Sequence, residues 1–217
     1  MIDIIPSILT NDPKELREML TRCKGVVKRV SIDIIDGKFV NNKTVDPSFL
    51  SNLDTNLKID YQLMVLEPIN WIKRCVRGQA DRIIGHIEKM SNQAEFIAKV
   101  QEAKVSTGLA LDIATPVARL DATILNELDV ILLMAVPSGF GGHSFDQRVL
   151  EKINRLAEVR AEKKRVFKIH VDGGITSESI YNVYRLGANE VSVGRLLFAG
   201  DLAENIKRFR KVAYKID

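Results

Sequence analysis

Ser31-Ile32-Asp33-Ile34-Ile35-Asp36-Gly37 is an isoleucine-rich run that carries an aspartate inside it and closes on Asp-Gly. Its counterpart, His170-Val171-Asp172-Gly173-Gly174, lies in the last quarter of the chain and ends in the same way. Continuous apolar runs of this kind, as opposed to strict alternation, belong to parallel strands covered by helices on the outside. Similar runs occur at Asp3-Pro6, Lys28-Ile34, Lys58-Met64, Arg82-His86, Ser106-Leu111, Val130-Met134, Phe167-Val171 and Glu190-Val193. Between them lie amphipathic stretches that predict helices, among them Pro13-Arg22, Asn92-Ala103, Val117-Leu125, Phe145-Glu162, Ser177-Leu186 and Leu202-Tyr214. Asp146, Ser177 and Asp201 stand near three of the predicted starts, where a side-chain oxygen can accept from free N–H groups. Strand then helix, repeated eight times without a long linker, predicts an α/β chain closed into a (β/α)8 TIM barrel, one domain over residues 1–217.

Composition agrees with that class. The 217 residues are 46% hydrophobic and 28% charged, with a formal net charge of +4. Such a chain can bury a sizeable core without disulfides. Cys23 and Cys75 fall inside predicted helices and read as thiols in a reducing compartment. The first residues carry no basic stretch and too short an apolar run for a leader, and no segment is long enough to span a bilayer. A cytoplasmic protein with no membrane and no nucleic-acid partner is expected. The basic clusters Arg160 to Lys168 and Lys207 to Lys215 lack interleaved aromatics for base stacking and read as solvated helix faces. A mild positive field still favours an anionic substrate.

In a barrel of this kind the chemistry sits at the C-terminal ends of the strands. Side chains alternate along a strand, so Ser31 and Asp33 share one face, as do His170 and Asp172. An inward aspartate within an apolar strand is costly unless it is paired, hydrogen-bonded or metal-bound. Asp33 and Asp172 are therefore expected to be functional, facing each other across the barrel mouth. Glycines mark the later loops: Gly139, Gly141 and Gly142 after the sixth strand, Gly173 and Gly174 after the seventh, and Gly194 after the eighth. Glycine loops there hold a phosphate through backbone N–H groups, helped by a helix N-terminus.

These same residues resemble the ribulose-phosphate 3-epimerase family. The resemblance is carried by Pro6-Ser7-Ile8-Leu9, by Asp33 through Val40, by Leu63-Met64, by Leu132 through Val136 with Gly139-Phe140-Gly141-Gly142, and by Val171-Asp172-Gly173-Gly174-Ile175. It implies a TIM barrel of the ribulose-phosphate-binding type and an epimerase acting on a small phosphorylated sugar, with Asp33 and Asp172 as acid and base. It also implies substrate contacts from Ser7, phosphate contacts from the glycine loops, a homo-oligomer, and a divalent metal, usually zinc, that stabilises an enediolate. The family holds that metal with the two aspartates and two histidines. In this sequence the histidine positions are Ser31 and Gln62. Neither suits zinc, which favours imidazole and thiolate. Further departures cluster nearby: Lys38 for a histidine, Asn41 for a proline, Pro137-Ser138 for an acidic-or-Asn/Pro pair, His143 for a glutamine, and Arg195 for a small serine-like residue.

Gln62, Met64 and His86 are expected on the pocket wall, and His143 in the glycine loop beside the substrate. Arg195 is expected to add a charge-assisted phosphate contact. His170 precedes Asp172 by two residues, so it is either a hydrogen-bonded interior histidine or a relocated ligand for a weakly held metal on Asp33 and Asp172. Three functions remain open: a ketose-phosphate 3-epimerase with altered or lost metal dependence, a relative acting without metal on another phosphorylated substrate, and a non-catalytic sugar-phosphate binder.

Overall fold

The structure is a computed structural model describing residues 2–162 and 166–215. Eight parallel strands close into a barrel in chain order: β1 (Asp3–Ile8), β2 (Arg29–Ile35), β3 (Lys58–Met64), β4 (Ala80–His86), β5 (Ser106–Leu111), β6 (Val130–Met134), β7 (Lys168–Asp172) and β8 (Glu190–Val193). The outer layer is α1 (Pro13–Cys23), α2 (Ile72–Arg77), α3 (Gln93–Glu102), α4 (Arg148–Glu162), α5 (Ile180–Arg185), α6 (Arg195–Phe198) and α7 (Leu202–Tyr214). The cluster Arg160 to Lys168 lies partly outside the described residues. Among the described residues no helix is long and apolar enough to cross a membrane.

Caps set the helix starts. Asp12 accepts from Lys14 N with Pro13 in the first turn, Asn92 accepts from Glu95 N, and Asp201 accepts from Glu204 N. Each satisfies a donor that the first helical turn leaves free. Two predicted helices start later than the sequence pattern placed them. Asp146 accepts from Arg148 N at 2.9 Å, so α4 begins at Arg148 and not Phe145. Ser179 Oγ accepts from Thr176 N at 3.0 Å, so α5 begins at Ile180 and not Ser177. The predicted helix Val117-Leu125 is not formed. Two short 3-10 turns stand there, Val117–Arg119 and Leu125–Glu127. Between them Asp121 accepts from both the N–H and the hydroxyl of Thr123, a local bond that competes with helix propagation.

The barrel interior is divided. Toward β4–β6 it is filled by Ile84, Ala110, Val130, Leu132, Met134 and Val136. Polar groups also point inward, from β2, β3, β7 and β8 and from the start of β4, and Ser31, Asp33, Asp60, Gln62, Arg82, His170, Asp172, Glu190 and Ser192 are all buried. At the N-terminal level these groups pair. Arg82 donates to Asp60 and to Glu190 Oε2 (2.7 Å), Lys168 to Glu190 Oε1 (2.6 Å), and Arg29 to Asp60 and to Asp81 (2.6 Å). This network closes the bottom of the barrel, and the carboxylates above it floor the mouth.

Candidate active site

Register places the chemistry. Asp33 on β2 is level with Gln62 on β3, and Asp172 on β7 is level with Met134 on β6 and Ser192 on β8. Ser7 on β1 is level with Ser31. Asp33 and Asp172 are 6% and 7% exposed, and both line a cavity of about 890 Å³ at the C-terminal mouth. Its wall includes Ser7, Met64, Met134, Ser192 and the whole loop Gly139 to Phe145, and Gly173, Gly174, Gly194 and Arg195 stand at its rim.

The two carboxylates are in an environment that opposes ionisation. Burial pushes Asp33 well above the ordinary carboxylate range, and the charge of Asp172 pushes it the same way, against one hydrogen bond from Ser7 Oγ at 3.3 Å. Burial likewise raises Asp172 to about 6, opposed by His86, the Gly173 N–H and the Gln62 side chain. Two neighbouring buried carboxyls in this state favour holding one proton between them.

The other expected residues divide into two groups. His143 is on the cavity surface with the six glycines. The loops are pinned to each other, since Asn42 Nδ2 donates to Gly139 O at 2.6 Å across the mouth. The Arg195 guanidinium lies against Gly142, whose φ of +94° and lack of a Cβ make room for it. Gly174 has φ +63°, and a Cβ there would come within 2.5 Å of Phe145 N. Gly174→Ala is therefore expected to destabilise the protein by more than about 1 kcal/mol in urea unfolding and to disturb the rim.

Gln62, His86 and His170 stand behind the cavity surface. Gln62 Nε2 is 3.1 Å from both His86 Nε2 and Met134 Sδ. His86 Nδ1 faces Glu88 Oε2 at 3.2 Å and its ring meets Phe39 edge to face. His170 Nε2 is 2.8 Å from Ser192 Oγ, and burial lowers its pKa to about 3. His170 is thus buried and hydrogen-bonded in the barrel interior, two residues before Asp172. Met134 and Ser192 are cavity residues that the sequence pattern did not single out. Ser192 carries a faint signal, a hydroxyl inside an apolar strand two residues before Gly194.

Ser31 Oγ, Asp33 Oδ1 and Gln62 Oε1 are buried without a hydrogen-bond partner. These are oxygens on adjacent strands, where the resemblance calls for two imidazoles. Among the described residues no three His, Cys, Asp or Glu side chains converge as a metal site. The residues present do not fit a zinc centre of the family kind.

Fold and site together define the class, an α/β-barrel enzyme with its acidic groups at the C-terminal mouth. The fold is shared with orotidine 5'-phosphate decarboxylase from Pyrococcus horikoshii (TM-score 0.65, 14% identity, 97% of this chain and 99% of that one). It is shared also with the tryptophan synthase α-subunit from Pyrococcus furiosus (TM-score 0.68, 14% identity, 99% and 98%). Residues 3–198 match the model of the ribulose-phosphate 3-epimerase family. The chain is 34% identical over 202 residues to ribulose-phosphate 3-epimerase of Bacillus subtilis, covering 91% of this chain and 93% of that protein. It is 32% identical over 212 residues to the chloroplastic ribulose-5-phosphate-3-epimerase of Arabidopsis thaliana, covering 95% and 75%. The chain belongs to the ribulose-phosphate 3-epimerase family.

Proposed function

We propose that the protein epimerises a ketose phosphate at C3, with Asp33 and Asp172 as the acid–base pair. The observation that carries this is the pair of buried carboxyls at the cavity floor, both raised by burial and so disposed to share one proton. The ionised member removes the C3 hydrogen as a proton from one face, leaving an enediolate. The protonated member then delivers its proton to C3 from the opposite face, and the pair ends with its single proton transferred. Ser7 orients Asp33 through its hydrogen bond. The N–H groups of the glycine rim hold the phosphate, with Arg195 able to grip it in a bidentate fork. Met64 and His143 bound the sugar, and Gln62 and His86 back the wall. The partners are then a small phosphorylated sugar and, by family likeness, further copies of the chain.

The test is a ribulose 5-phosphate assay in D2O, reading deuterium incorporation at C3 and formation of xylulose 5-phosphate. Neither appearing, with protein that binds the sugar phosphate, would overturn the reading. The rate should be bell-shaped in pH, falling at low pH as both carboxyls hold protons and at high pH as both lose them.

Metal dependence departs from the family pattern. The oxygens of Asp33, Asp172 and Gln62 form a hard donor set, suited to weakly held magnesium or manganese over zinc. Elemental analysis of untagged protein is expected to find zinc well below one per chain, and chelator treatment to leave the unfolding temperature unchanged. About one tightly held zinc per chain would overturn this. The same substitutions favour a second reading, metal-free proton transfer on a different phosphorylated substrate. It predicts cavity binding without turnover of ribulose 5-phosphate.

A further inference from the structure

We propose that Ser192 is a specificity residue, fixed by His170 and Glu190 as a hydrogen-bond acceptor for the substrate hydroxyl that lies between the reacting carbon and the phosphate. The proposal rests on the epimerase reading only for the position of that hydroxyl. The acceptor role comes from the polar groups beneath the cavity.

The ion network below Ser192 is complete without a charge on His170. Arg29, Arg82, Lys58 and Lys168 face Asp60, Glu190, Asp81 and Asp3. An added imidazolium, fully buried, would have no counter-charge of its own, so the ring carries one proton. Its Nδ1 stands 3.4 Å from Glu190 Oε2, a carboxylate oxygen already oriented by Arg82. A protonated Nδ1 is attracted to that oxygen, and a lone pair on Nδ1 would be repelled by it. The proton therefore sits on Nδ1, although the N–H points off the hydrogen-bond line. Nε2 is left as an acceptor, and at 2.8 Å its partner is the Ser192 hydroxyl, which must donate. A serine hydroxyl has one hydrogen and two lone pairs. With the hydrogen committed downward, Ser192 offers the cavity only an acceptor.

Its position selects which hydroxyl. Ser192 is level with Asp172 and two residues before Gly194, and all three line the cavity. Two residues of strand rise about 6.6 Å, so that is the interval from the acid–base level, where Ser192 stands, to the rim at Gly194. In a pentulose 5-phosphate with C3 reacting, the hydroxyl in that interval is on C4.

The experiment compares two unreactive ligands, D-xylitol 5-phosphate and its 4-deoxy analogue, on wild-type protein and Ser192→Ala by calorimetry. The variant should bind the parent pentitol phosphate about tenfold more weakly and the deoxy ligand unchanged. Equal weakening of both ligands means a merely structural role and overturns the proposal. Nitrogen-15 NMR of the His170 ring should show a neutral Nδ1–H tautomer, and an Nε2–H or doubly protonated ring overturns it as well. Wild-type protein that binds neither ligand removes this proposal and the sugar-phosphate reading together. Selective weakening without C3 exchange in D2O removes the epimerase reading and leaves Ser192 as assigned.

Discussion

Asp172→Asn is expected to lower the rate of C3 epimerisation by at least about 10³-fold, because it removes one of the two carboxyls proposed to move the proton. Asp33→Asn should do the same. The amide is isosteric, so the cavity keeps its shape and the phosphate ligand should still bind. The same variant is expected to be more stable than the parent at pH 8. Burial raises the Asp172 carboxyl from an ordinary 3.8 to about 6. Between those values the native state holds a proton that the unfolded chain has released. Stability therefore falls as pH rises through that window, and above it the parent carries the cost of a buried charge. An asparagine carries none, so the gain should be full above pH 6 and vanish below about pH 4. Thermal unfolding across pH 4 to 8 checks this, and a variant less stable than the parent at pH 8 would contradict the reasoning. Glu190 behaves oppositely: its carboxyl is lowered to about 2 despite the opposing effect of burial, with the dipole of the neutral His170 ring and the cations Arg82 and Lys168 favouring the charge. Its contribution is present above the ordinary glutamate range and is lost as pH falls toward 2.

Arg82→Met is expected to have the largest effect on stability, a loss of about 3–5 kcal/mol. Arg82 bridges Asp60 and Glu190 inside the barrel, and both carboxylates are almost wholly buried. Removing the guanidinium strands two charges in a region with little water. Arg29 and Lys168 still reach one carboxylate each, so folding should survive in reduced form. Urea unfolding of Arg82→Met measures the loss, and a change under about 1 kcal/mol would mean that water or the flanking cations replace the bridge.

Asp33 and Asp172 were legible because an inward carboxylate in an apolar strand needs a partner or a role. The same argument applied with equal force to Asp60, Arg82 and Glu190, yet the sequence pattern did not pair them. They lie 22 and 108 residues from one another along the chain, a separation that no local spacing reveals. The missed helix after β5 was a local misreading, since the Asp121 turn was written in the sequence and outweighed the apolar periodicity. His170 was ambiguous for a different reason. Its offset from Asp172 was compatible with a ligand or a core residue, and its contacts with Ser192 and Glu190 exist only in the folded barrel.

Residue periodicity and glycine placement are local properties of the chain, and from them the barrel and the strand ends that face its mouth could be read. The sequence also showed that two metal-binding imidazoles of the family pattern are absent, since that is a matter of residue identity alone. Which polar groups satisfy one another emerged with the folded barrel. Register sets Asp172 beside Ser192 and His170 beside Glu190, and closure of the barrel brings Arg82 of β4 across to Glu190 of β8. Hydrogen bonds and ion pairs act over a few ångströms, and in a closed barrel those distances are set by strand register, which no stretch of the chain contains alone.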